Sequence, residues 1–196
     1  EKMKSYWLGA LFLGVMAVLA WQSGMMDSPS EIIHTYQEEY TLIYQKKTGG
    51  FDQIADTFFQ VQQTLQKVGI SSPRGVGVYF DNPDLVEKEN LRWWAGFALQ
   101  TDSVKQQLFE RILQEGPTLS ILKVPPSQVV QTTFPYRNML SPMIGASKVY
   151  PLLKESLNSN DESFPSAAVE FYDQVAKQPQ ITYLVYLENT QIFEWI

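Results

Sequence analysis

Gln128-Val-Val-Gln-Thr-Thr-Phe-Pro-Tyr-Arg-Asn-Met-Leu-Ser-Pro-Met-Ile-Gly-Ala-Ser-Lys-Val-Tyr-Pro-Leu-Leu-Lys154 is the stretch on which the fold turns. Val129 to Phe134 reads as a strand, and Pro-Tyr-Arg-Asn as a turn. Ser141 is placed to cap a helix by accepting a first-turn amide, with Pro142 just inside it, where a missing N–H costs nothing. Leu140, Met143, Ile144, Val149, Leu152, Leu153 and Leu157 then fall on one broad apolar face. Pro151 lies inside this helix, removes one backbone hydrogen bond and is expected to kink it. Two further strands, Ala167 to Asp173 and Ile181 to Glu188, complete a β-α-β-β unit.

Working outward, the same unit is found upstream. Tyr40 to Tyr44 is a strand and Gly49-Gly50 a turn. Phe51, Ile54, Ala55, Phe58, Val61, Leu65 and Val68 recur at helical spacing. Gly69 serves as a C-cap, and Gly75 to Asp81 and Leu91 to Leu99 supply two strands. Val78-Tyr-Phe-Asp81 and Glu170-Phe-Tyr-Asp173 occupy matching places in the two units. A short helix from Thr101 to Gly116 and a strand from Leu119 to Val124 connect the halves. The expected class is α+β: one domain, residues 40–190, of two β-α-β-β repeats forming an antiparallel-rich sheet with two main helices on one face. Residues 191–196 form its C-terminal end.

The amino end has a different character. From Ser5 to Met26 there is no charged residue, and about 20 apolar residues suffice to cross a bilayer. Trp7, Leu8, Leu11, Phe12, Val15, Val18, Leu19 and Trp21 are the expected anchor residues, the two tryptophans lying near the membrane interfaces. Lys2 and Lys4 with Val18-Leu-Ala20 also fit a cleaved signal peptide; the length of the apolar run favours an uncleaved single-pass anchor over residues 1–26. The lysines put the amino end on the cytoplasmic or matrix side. Residues 27–39 are expected as a linker, and a lipid bilayer as one partner.

Composition excludes several functions. The chain has 196 residues, no cysteine, one histidine (His34) and a net charge of −6. Disulfides, thiolate chemistry and Cys-based metal sites are excluded, a His-rich metal site is impossible, and no metal or other cofactor is expected. An acidic chain lacks the basic stripe that attracts phosphate backbones, so no nucleic-acid partner is expected. No serine-histidine-aspartate set or phosphate-binding glycine loop can be assembled.

Aromatic residues make up 13% of the chain and supply the better candidates. Tyr79, Trp94, Tyr136, Tyr172 and Tyr183 lie in or beside strands. They either fill a sheet half-buried on one face or line a cleft for an apolar or cationic small molecule. Glu170 alternates with Val169 and Phe171, which turns it away from their face; it is expected at a solvated surface or, failing that, in the same cleft. Asp81 and Asp173 read as residues closing equivalent strands.

Gly77-Val-Tyr-Phe-Asp-Asn-Pro83, Val169-Glu-Phe-Tyr-Asp173 and Pro125-Pro-Ser-Gln-Val-Val-Gln-Thr-Thr-Phe-Pro-Tyr136 resemble the GyrI-like small-molecule-binding superfamily. The last of these, with the helix that follows it, looks most like the membrane-anchored branch that includes endoplasmic-reticulum-phagy receptors. The resemblance implies binding of hydrophobic or cationic ligands, and in some members hydrolysis by a glutamate early in the last strand. Here the matching position is Tyr183, which supplies no carboxylate at neutral pH, so neither catalysis nor cation capture by that position is expected. It further implies an adaptor that docks other proteins, on the endoplasmic reticulum. An accessory subunit of a membrane complex, for example in the mitochondrial inner membrane, is the alternative, and a ligand-binding or hydrolytic domain is the third reading. Phe193-Glu-Trp-Ile196 fits the bare aromatic-x-x-aliphatic pattern of autophagy docking motifs.

Overall fold

A computed structural model describes residues 24–71, 74–100, 106–159, 167–173 and 177–194. Eight strands form one sheet: β1 (Ile33–Gln37), β2 (Tyr40–Thr48), β3 (Arg74–Tyr79), β4 (Arg92–Leu99), β5 (Ser120–Val124), β6 (Ser127–Pro135), β7 (Ala168–Asp173) and β8 (Gln180–Tyr186). Their order is β1-β6-β8-β7-β3-β4-β2-β5, and every neighbouring pair is antiparallel. Each β-α-β-β unit contributes three adjacent strands, β2-β4-β3 and β7-β8-β6, and the units meet at β3 and β7. A further strand lies outside each trio, β5 beside β2 and β1 beside β6.

The helices are α1 (Ile54–Lys67), α2 (Gln106–Glu115) and α3 (Ser141–Ser159). Helix α1 lies on β4 and β2, burying Val61 and Leu65 beside Ile43, Phe97 and Ile112. Helix α3 lies on β6 and β8, burying Val149, Leu153 and Leu157 against Phe134, Ile181 and Val185. Both use the same face of the sheet, and β7 and β3 run in the gap between them.

The opposite face is covered too. Tyr40, Leu42, Tyr44, Val76, Val78, Trp94, Phe171, Leu184 and Phe193 form a second core there. The sheet curls to close it. Strands β2 and β8 stand four spacings apart, about 19 Å in a flat sheet, yet the hydroxyls of Tyr40 and Tyr186 meet at 3.1 Å.

Several local expectations change. The buried stripe of α3 is Ser141, Gly145, Val149, Leu153 and Leu157, a narrow every-fourth-residue line. Leu140, Met143 and Leu152, expected on the packed face, are exposed. Ala55 of α1 is also exposed. The Ser141 hydroxyl accepts the amides of Arg137 and Asn138, so it ties down the preceding turn instead of capping the first turn of α3. The stretch 27–39, expected as a linker, holds β1, in register with β6 from Ile33↔Gln131 to Gln37↔Ser127. Among the described residues no helix is long and apolar enough to cross a membrane. The anchor residues Trp7 to Trp21 lie outside the described residues.

Candidate functional site

Between α1 and α3 the backbone of β7 and β3 lies under neither helix axis, and side chains from both helices, Tyr150 from α3 and Phe58 from α1, roof the strip. Glu170 and Tyr172 point into it from β7, as Gly75, Gly77 and Tyr79 do from β3. Register fixes their neighbours: Glu170 lies opposite Gly77 on one side and Tyr183 of β8 on the other. Glu170 is only 3% exposed. It is a buried carboxyl with a glycine and a tyrosine as flanking cross-strand partners.

Two phenols satisfy it. The Tyr150 hydroxyl, from α3, donates to Oε1 at 2.5 Å, and the Tyr172 hydroxyl donates to Oε2 at 2.6 Å. Tyr79 reaches the Tyr172 hydroxyl at 2.7 Å, extending the chain of hydroxyls toward α1. Charge-assisted bonds of this kind favour an ionised carboxylate, whereas removal from water disfavours it. Here burial wins, and the Glu170 carboxyl is pushed up to about 7 despite both hydrogen bonds. Burial, reinforced by the nearby Glu170 charge, holds Tyr79, Tyr150 and Tyr172 well above the usual phenol range. All three therefore stay protonated and can only donate or relay hydrogen bonds.

Glycine makes this packing feasible. A Cβ on Gly77 would lie 2.7 Å from the Tyr79 hydroxyl oxygen, and one on Gly145 of α3 would lie 2.3 Å from that of Tyr183. The rings of Tyr79 and Tyr183 thus occupy space left by absent side chains. Tyr183 is fully buried, donates to the Pro142 carbonyl at 3.3 Å, and meets the Tyr150 ring edge to face at 5.7 Å between centroids. Phe58 bridges the α1 side, edge-on to both Tyr172 and Phe97.

Four of the six expected cleft residues, Tyr79, Glu170, Tyr172 and Tyr183, are brought together. Trp94 is not among them: it lies on the opposite face, stacked on Tyr44 at 4.3 Å. Tyr136 is half-buried at the end of β6, where its hydroxyl contacts the Met139 sulfur. Glu170, expected first at a solvated surface, is buried. Its register places the Glu170 carboxyl directly across from Tyr183 of the adjacent strand. Tyr150 was missed; its sequence signal is its place beside Val149 on a helix whose packed face was drawn too broadly.

The paired aspartates are ion-pair residues. Asp81 accepts both Nε and Nη2 of Arg92, which holds its carboxyl below the ordinary range, and Asp173 accepts Nε and Nη2 of Arg74 at 2.6 Å each. His34 sits on β1 beside a shallow recess of about 350 Å³, shared with Tyr36, Gln128 and Leu187 and remote from Glu170. Phe193 packs against Trp94 and Tyr186 in the second core, so the aromatic residue of the docking-like pattern is inside the domain.

The architecture is thus two β-α-β-β halves in one curled antiparallel sheet under helices. Solved structures share it. The C-terminal domain of EcmrR superimposes with a TM-score of 0.55 at 9% identity, covering 81% of this chain and 97% of that one. EcmrR in its DNA complex gives 0.54 at 10% identity, covering 94% and 67%. An uncharacterized conserved protein from Listeria innocua gives 0.52 at 10%, covering 81% and 91%. At such identities the likeness establishes the fold alone. No family profile and no curated protein matches the chain, so the receptor-like branch gains no support from either.

Proposed function

We propose that this chain is a membrane-anchored, non-catalytic binding module, and that its domain takes an aromatic or cationic small molecule between α1 and α3. Glu170 carries the reading: a carboxyl 3% exposed, poised at about 7 and roofed by tyrosines, lies on the sheet between the two helices, where Tyr150 and Tyr172 hold both of its oxygens. A cation entering there exchanges phenol hydrogen bonds for an ion pair and finds ring faces around it. Absence of turnover rests on the resemblance, in which the glutamate position is filled here by Tyr183. Both oxygens of Glu170 accept from tyrosine hydroxyls that stay protonated near neutral pH.

The test is fluorescence anisotropy of rhodamine 6G with the full chain in detergent. Glu170→Gln should weaken binding at least tenfold at pH 8. Affinity of the unaltered chain should rise about tenfold from pH 6 to pH 8 as the carboxyl ionises. Equal affinity in both proteins would remove Glu170 from the site. Hydrolysis of an electrophilic cyclopropanoid substrate that vanishes in Glu170→Gln would replace binding by catalysis.

The anchor is supported by the uncharged run Ser5 to Met26. Protein docking, as an adaptor on the endoplasmic reticulum or an accessory subunit of a mitochondrial inner-membrane assembly, rests on the resemblance. Intact-complex mass spectrometry after mild detergent extraction separates those two.

A further inference from the structure

The chain enters the domain through a clamp. Gly24 to Asp27 forms a turn, with the Asp27 amide donating to the Gly24 carbonyl at 3.0 Å and Gly24 at φ +84°. Arg137 donates through Nε and Nη2 to both carboxylate oxygens of Asp27. Lys148 donates to the carbonyls of Met25 and Asp27, at 2.6 Å each. The residues that end the uncharged run are therefore fixed to the turn before α3 and to its second turn, with no free spacer between run and domain.

Around that clamp the surface is apolar. Met25 is 60% exposed, Met26 73%, Met139 73%, Leu140 50% and Met143 68%. Met143 is in the first turn of α3 and Met139 in the turn just before it, with Arg137 and Ser141 beside or between them. Long unbranched side chains held out in water at the point where a 22-residue uncharged segment joins the domain call for an apolar environment at that point.

We infer that this methionine knob is seated in the membrane surface, so that the domain rests on the bilayer by the β6-to-α3 corner and does not swing on a tether. The inference rests on the anchor reading. Continuity is the argument: Met25 and Met26 belong both to the uncharged run and to the patch, so a bilayer that holds the run lies against Met139 and Met143. The opposite end of the sheet then faces water. Pro135, which ends β6, is level with Gln180 and Asp173, whereas Tyr79, which ends β3, is level with Ala168 at the other end of β7. Leu85, 82% exposed, is in the loop that leaves that far end.

The chain has no cysteine, so single labels are clean. Met143→Cys and Leu85→Cys, each carrying an NBD fluorophore, are reconstituted as full-length chains in phosphatidylcholine vesicles. The Met143 label should be blue-shifted and quenched at least threefold more than the Leu85 label by lipid spin-labelled high on its acyl chain, and should resist aqueous iodide. Chains that float with the vesicles but carry a Met143 label as open to iodide as Leu85 overturn the seating and leave the anchor intact. A blue shift without lipid quenching assigns the knob to a protein partner and also overturns it. Chains that do not float overturn anchor and seating together.

Discussion

Glu170 is the residue whose titration the fold has moved furthest toward physiological pH, and the sign of its effect on stability is fixed by that direction. Its carboxyl is raised from 4.5 to about 7 on folding, so the native state holds its proton where the unfolded chain has lost it. Its contribution is fully present below about pH 4.5 and is lost as pH rises to about 7. Urea unfolding of the native chain and of Glu170→Gln at pH 4.5 and pH 8 checks this. The variant should gain on the native chain by on the order of 3 kcal/mol between those values. A difference that does not change with pH would place the carboxyl in water. Gly145→Ala gives a second expectation at this scale. Alanine recovers up to about 1 kcal/mol of helix propensity, but its methyl meets the Tyr183 hydroxyl at 2.3 Å and Phe134 at 3.0 Å. Overpacking of about 1–3 kcal/mol therefore prevails, and a lowered melting temperature is expected. A raised one would show that Tyr183 swings aside.

At the scale of elements, the strands were legible and their faces only partly so. Runs such as Val129 to Phe134 and Ile181 to Tyr186 are marked by β-branched and aromatic residues and by the turns around them, and the observed bounds fall within two or three residues of those read from sequence at most ends. Strand β2 is the exception, running on from Tyr44 to Thr48. Glu170 misled because alternation identifies an outward residue only when one face of the sheet meets water. Strand β7 is covered on both faces, by Val169 and Phe171 in one core and Tyr172 in the other, so its polar residue had no solvent side to take. Helix α3 misled in the other direction: a helix resting on a sheet at one edge buries a narrow stripe, and its remaining apolar residues had no partner visible in the sequence. Pro151 is tolerated because it is exposed, and the Ser147 carbonyl it leaves without an amide is on an exposed residue, where water can serve it. Within the stripe, Leu153→Ala should cost about 2–5 kcal/mol, since Leu153 is fully buried between β6 and β8. Leu152→Ala, one residue along and 41% exposed, should cost under about 1 kcal/mol. Equal losses at the two positions would mean that the helix is rotated about its axis.

At the scale of the molecule, the domain begins earlier than its repeat does. Sequence analysis expects the domain to start at Tyr40, whereas Ile33 to Gln37 already pairs as β1, with side chains exposed or half-buried throughout. What holds β1 is backbone pairing with β6, which leaves no trace in side-chain pattern. The approach to it is tied as well: the Ser30 amide donates to the Thr133 carbonyl, the Thr132 hydroxyl to the Ser30 carbonyl, and Asp27 pairs with Arg137. Cutting the chain before Tyr40 removes all of these together and turns β6 from an interior strand into an edge. An edge with unpaired amides and carbonyls, carrying Val129 and Val130, is a template for pairing with another chain. We therefore expect a fragment of residues 24–194 to be monomeric and cooperative in unfolding, and one of residues 40–194 to be less stable and to self-associate in a concentration-dependent way. Sedimentation velocity and thermal melts of the two fragments at matched concentrations decide it. If the shorter fragment stays monomeric with an unchanged melting temperature, β1 is an ornament on a sheet that ends at β6. The fold's symmetric plan, with one added strand outside each trio, would then lack a stabilising role on that side.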